Sequence, residues 1–122
     1  MNAIENLVHK YIESWNQSDA SRRRATLREL YTENASYTDP LASVTGLEAI
    51  DQLIAGVQQT FKGLVFSLAG RVDTHHDTVR FTWHLGAPGE REPLVIGFDV
   101  AVAENGRLCR VYGFLDKVPA GV

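Results

Sequence analysis

Hydrophobic positions along this chain follow two periods, and the switch between them divides it. Ile4, Leu7, Val8, Tyr11, Ile12 and Trp15 recur at steps of three and four, the spacing of one face of an α-helix. The pattern predicts an amphipathic helix from about Ala3 to Trp15. Ser18 and Asp19 are good N-caps for a second helix through about Leu30, with Ala20, Leu27, Leu30 and Tyr31 turned inward. Thr45-x-x-Glu48 has the form of a capping box. It opens a third helix with the stripe Leu47, Ile50, Leu53, Ile54, Val57 and Phe61, closed by Gly63.

Beyond Gly63 the period falls to two, the signature of strands. Leu64, Phe66, Leu68 and Val72 alternate against Val65, Ser67, Ala69 and Arg71. After a turn at Thr74-His75-His76-Asp77, Val79, Phe81, Trp83 and Leu85 take one face and Arg80, Thr82 and His84 the other. From Leu94 to Ala103, Ile96, Phe98, Val100 and Val102 oppose Val95, Gly97, Asp99 and Ala101. Glu104-Asn105-Gly106 is a hairpin turn, because Asn-Gly accepts positive φ, and Arg107 to Asp116 returns antiparallel. A short strand precedes the third helix: Ala35, Tyr37 and Asp39 alternate with Ser36 and Thr38, and Pro40 ends it.

Three helices, one short strand and four long antiparallel strands make an α+β fold. To cover helix stripes this wide, the antiparallel sheet must curl into a cone around the N-terminal helices. A cavity open at one end then lies between helices and concave face. At 122 residues the chain is expected to form one domain.

Composition narrows the function. Net charge is −3, whereas nucleic-acid-binding domains are usually basic, so no nucleic-acid partner is expected. The one basic run, Arg22-Arg23-Arg24 with Arg28, is expected on a solvated helix face. No apolar run is long enough to cross a bilayer, and no N-terminal signal pattern is present. The lone Cys109 allows no internal disulfide. A cytoplasmic location away from membranes follows as the expectation. His75-His76 lies in a turn with no ligand partner at metal spacing, and no Gly-x-Ser-x-Gly elbow occurs. No metal and no cofactor are expected.

The candidate chemistry lies in Tyr11, Asp39 and Asp99. Tyr11 sits in the middle of a buried stripe, so its hydroxyl needs a partner or a cavity. Asp39 and Asp99 are carboxyl groups on small or apolar strand faces, costly to bury without a task. The residues alone also allow structural roles. Asp39 could cap the turn before the third helix near Ser43 and Thr45, and Asp99 could pair with Arg80 or Arg110. Tyr11 could be satisfied by a backbone carbonyl.

The order of elements, with Tyr37-Thr38-Asp39-Pro40 before the third helix and Gly97-Phe98-Asp99-Val100 before the last hairpin, resembles the nuclear-transport-factor-two-like superfamily. That superfamily includes SnoaL-like polyketide cyclases and ketosteroid isomerases. The resemblance to ketosteroid isomerase implies Asp39 as general base, with Tyr11 and a protonated Asp99 as the oxyanion hole. It further implies a cofactor-free isomerase or cyclase acting on a small hydrophobic carbonyl compound bound in the cone. Trp15, Tyr37, Ile54, Phe61, Phe81, Trp83, Val111 and Leu115 would line that cone. Ile54 stands where the isomerases often carry a supporting tyrosine, while Tyr31 matches that tyrosine's partner. The last hairpin is one residue shorter than theirs. Such folds also serve as non-catalytic binding or dimerisation modules, and a homodimer through the exposed sheet face with Arg80, Thr82 and His84 is the expected assembly.

Overall fold

The first two helices start by the same device. Asn2 Oδ1 accepts from the Glu5 N–H at 2.8 Å and Asp19 Oδ1 from the Arg22 N–H at 2.9 Å, each satisfying a donor with no intrahelical partner. In the computed structural model, which describes residues 2–120, the elements are α1 (Ala3–Asn16), α2 (Ala20–Leu30), β1 (Tyr31–Thr38), β2 (Ser43–Thr45), α3 (Leu47–Thr60), β3 (Val65–His75), β4 (Thr78–Gly86), β5 (Val95–Glu104) and β6 (Arg107–Lys117). One six-stranded sheet runs in the order β2-β1-β6-β5-β4-β3.

The expected meander of four long strands is present, and the sheet is mixed rather than wholly antiparallel. β1 pairs parallel with β6, through Tyr37↔Val111 and Thr38↔Tyr112, and the short β2 pairs antiparallel with β1. Strand β2 also replaces the capping box. Thr45 pairs with Ser36 in the ladder, and Gly46, at φ +95°, starts α3 with no side-chain cap. The Gly46 N–H goes to Ala35 O at 2.8 Å, so ladder bonds take the backbone that a cap would have held.

Curvature comes from irregular pairing. Register shifts interrupt β3–β4 between Ala69 and Asp73, where Gly70 sits at φ +72°, and β5–β6 between Ile96 and Gly97. Bulges of this kind bend a sheet and increase its twist. The concave face carries Val79, Phe81, Trp83 and Leu85 from β4 with Val95, Ala101 and Asp99 from β5, all buried. Leu7, Val8, Tyr11, Ile12 and Trp15 of α1 and Ile50 and Ile54 of α3 complete that core.

Arg23 corrects the reading of the basic run. Arg22, Arg24 and Arg28 are exposed, whereas Arg23 is buried, its Nε donating to Asp51 Oδ1 at 2.6 Å and its Nη1 to Gln17 O at 3.0 Å and Gln58 Oε1 at 3.1 Å. Ala20, expected inward, is exposed because the buried side of α2 is set by Arg23, Leu27 and Leu30. Gln58 also donates to Trp15 O and Gln17 O, so this polar cluster fastens α3 to the α1–α2 corner. Removing one partner of a buried pair leaves the other charge uncompensated. Arg23→Ala should therefore lower unfolding stability by about 3–5 kcal/mol, measurable by urea unfolding, and a loss below about 1 kcal/mol would place the pair in solvent-like surroundings.

Candidate active site

Tyr11 projects from the buried face of α1, and its hydroxyl donates to Asp99 Oδ2 at 2.7 Å. Asp99 lies on the concave face of β5, between Phe81 of β4 and Gly113 of β6 in the ladder. It is 1% exposed. Among the described residues it forms no ion pair, since Arg80 instead meets Asp73 at 3.0 Å on the outer face. The Trp83 indole N–H is the nearest further donor and favours the charged carboxylate by hydrogen bonding, but it falls short of a well-formed bond, and Asp99 Oδ1 is left without a close partner.

Asp39 follows the last residue of β1. Tyr37 donates its hydroxyl to Asp39 Oδ2 at 2.7 Å, and the amides of Leu41 and Ala42 donate to Oδ1 at 2.8 and 2.9 Å. Asp39 thus does cap the turn before the third helix, through the amides of Leu41 and Ala42 just ahead of Ser43, while it also lines the cavity. Three donors converge on it, the arrangement an acceptor-only carboxylate takes.

Gly113 lets the two acids approach. A Cβ there would lie 2.9 Å from Asp99 Oδ1, 3.2 Å from Asp39 Cβ and 3.5 Å from the Tyr37 hydroxyl oxygen. The free oxygen of Asp99 and the root of the Asp39 side chain are therefore separated by no more than the first two of those distances together. Tyr11, Asp39 and Asp99 all line one cavity.

Burial governs the electrostatics. Desolvation, the largest influence, pushes the Asp99 carboxyl up to about 6 from the ordinary 3.8, against the Tyr11 hydrogen bond and the Trp83 indole, which lower it; Asp39 adds a small upward push. Desolvation and then the Asp99 charge hold Tyr11, Tyr31 and Tyr37 well above the usual phenol range. All three phenols stay neutral at physiological pH. The Tyr31 hydroxyl and Trp15 Nε1 are buried without hydrogen-bond partners among the described residues.

The cavity measures about 80 Å³, small beside the several hundred Å³ usual for drug-sized ligands. Trp15, Tyr37, Phe61, Trp83 and Leu115 of the expected wall line it. Ile54, Phe81 and Val111 do not: they are fully packed in the core behind it, with Phe81 edge-on to Tyr11 at 5.5 Å. Sequence reasoning missed Phe66, whose ring sits between Trp15 and Trp83 at 5.5 and 5.3 Å. It shares the alternating stripe of β3, a signal that could have found it. Ile12, Val57 and the mouth residues Leu41, Val118 and Pro119 were also missed.

Gly97 holds Trp83 in the wall. A Cβ at Gly97 would lie 1.9 Å from Trp83 Cζ2 and 2.2 Å from Cε2, so the indole rests directly on the glycine backbone. Gly97→Ala should drive the ring into the cavity, cost about 1–3 kcal/mol by overpacking and alter tryptophan emission. Emission and urea midpoint both equal to the parent's would refute that contact.

Among the described residues no three His, Cys, Asp or Glu side chains gather as a metal site, and no helix is long and apolar enough to cross a membrane.

A SnoaL-like domain matches residues 8–111, and the chain belongs to the SnoaL-like family. A SnoaL-like structure from Agrobacterium tumefaciens str. C58, provisionally assigned as an isomerase, is 35% identical with a TM-score of 0.88, over 95% of this chain and 99% of that one. A Kribbella flavida structure provisionally assigned as a ketosteroid isomerase is 18% identical, with a TM-score of 0.69, over 96% of this chain and 80% of its own. A Sinorhizobium meliloti structure provisionally assigned as a polyketide cyclase is 15% identical, with a TM-score of 0.71, over 93% and 99%. The last two speak for the fold alone. No curated protein matches in sequence.

Proposed function

We propose that this protein is a cofactor-free acid–base enzyme, an isomerase or polyketide-cyclase-like catalyst, acting on a small hydrophobic carbonyl compound. One observation carries the reading: a buried Asp99 oxygen without a hydrogen-bond partner and the side chain of Asp39 both border Gly113 in one cavity. Asp39 takes a proton from the carbon next to the carbonyl, the C–H electron pair moves into the enolate, and the developing oxyanion meets a protonated Asp99 backed by Tyr11. Asp39 then returns the proton to carbon. The relatives' provisional assignments as isomerase and cyclase agree with this class.

The test is deuterium exchange into the α-carbons of small cyclic ketones in D₂O, followed by ¹H NMR. Exchange well above the buffer rate is expected, and a rate equal to buffer overturns the reading. One observation favours binding without catalysis: both amides of the 41–42 turn engage Asp39 Oδ1, as they would in a purely structural role. A ligand that binds tightly and emerges unchanged would decide for it.

The molecule is further proposed to dimerise through its convex face. Phe98 and Phe114 pair there at 6.3 Å, Tyr112 and Phe114 are exposed, and Arg80, Thr82 and His84 lie in register with Val100, Phe98 and Ile96. Phe114→Glu should halve the mass seen by light scattering. An unchanged dimer mass would exclude this face.

A further inference from the structure

The cavity carries carboxyl groups and rings and no cationic side chain among the described residues. Asp39 and Asp99 line it, and none of the described residues lining it is Lys, Arg or His. Asp99 Oδ1 is buried there without a partner. An oxygen so placed awaits a donor or a positive charge. Four of the rings that line the cavity touch in sequence. Trp15 stands 5.6 Å from Tyr37 and 5.5 Å from Phe66, which stands 5.3 Å from Trp83, at interplanar angles of 49°, 54° and 62°. Rings tilted in this way do not stack face to face on one another. Their electron-rich faces attract cations and repel anions, most strongly where water is excluded.

We propose that the cavity binds a small organic cation, a tertiary or quaternary alkylammonium group set against the aromatic wall and neutralising the free oxygen of Asp99. The proposal goes beyond proton transfer: it concerns what the cavity holds when Asp99 is ionised, whereas the proton-transfer reading uses the protonated form. A volume of about 80 Å³ suits a head group of a few heavy atoms. Any longer tail would leave past Leu41, Val118 and Pro119 at the mouth. A site lined by carboxyl groups with no cationic side chain should also disfavour carboxylates and phosphates of the same size.

The test compares choline with 3,3-dimethylbutan-1-ol, its uncharged isostere with carbon in place of nitrogen, by isothermal titration calorimetry on the full chain. Choline should bind tighter by about tenfold or more. Asp99→Asn keeps the shape and an acceptor for Tyr11, and should bring the two affinities to within about twofold, reading the charge alone. Phe66→Leu, which leaves both acids in place, should weaken choline severalfold and the alcohol little. Equal affinities in the parent protein, or choline that fails to bind, overturn the proposal. The two readings fail separately. Ketone exchange that choline does not inhibit removes the cation site and leaves proton transfer standing, whereas choline binding without ketone exchange does the reverse.

Discussion

Asp39→Asn should lower the rate of ketone α-proton exchange by about 10²–10⁴-fold, the usual worth of a positioned general base. The amide keeps an acceptor for the turn and loses the basic oxygen, so folding should survive. Circular dichroism and the urea midpoint of the variant check that point. A variant that folds and exchanges at the parent rate would leave Asp39 as the acid of a turn and nothing more. The same site gives a pH profile. With Asp99 needed as a donor, and its carboxyl pushed up to about 6 by burial, kcat/KM should fall as pH rises through that value. A profile still climbing above it would mean that Asp99 acts as a carboxylate.

Asp99→Asn should stabilise the protein at neutral pH while removing its activity. The folded state holds the Asp99 proton more tightly than the unfolded chain does, about 6 against 3.8. Stability from this group is therefore fully present below about pH 4 and is lost as pH rises through 6. That gap is worth about 3 kcal/mol, paid above pH 6 as the cost of an ionised carboxylate in a dry site. Asparagine never ionises and still accepts from Tyr11. The variant should gain up to about 3 kcal/mol at pH 7 and show a flatter stability curve between pH 4 and 6. Urea unfolding across that range is the measurement. A variant weaker than the parent at pH 7, with its pH slope unchanged, would mean that Asp99 is not the buried titrating group.

The elements were legible because they depend on local period. The stripe of α1 from Ile4 to Trp15 and the alternation of β4 and β5 each assign a face without knowledge of a partner. Tyr11, Asp39 and Asp99 could be singled out for the same reason, as polar groups on otherwise apolar faces. Arg23 could not. Its burial depends on Asp51 and Gln58, which are remote in sequence and reach it only when α3 packs on α2. Strand β2 was hidden because three residues carry no period, and Thr45 and Glu48 imitate a cap that Gly46 makes unnecessary.

The cavity wall was the least legible part. Phe66, Phe81 and Trp83 have the same hydrophobic character, and alternation places each on an inner face. Which ring borders the cavity and which packs behind it is settled by the shifts near Gly70 and Gly97 and by the indole resting on Gly97. Those are properties of the assembled sheet. Gly113 likewise has no signature in sequence as the gap that both acidic side chains border.

The most direct measurement is a ¹³C NMR titration of the Asp99 side-chain carboxyl carbon, assigned by its loss in Asp99→Asn. A midpoint of about 6 is expected from a carboxyl desolvated beside Tyr11 and Asp39. A midpoint near 3.8, the value of a carboxyl in water, would contradict the water-poor site on which the acid–base reading rests.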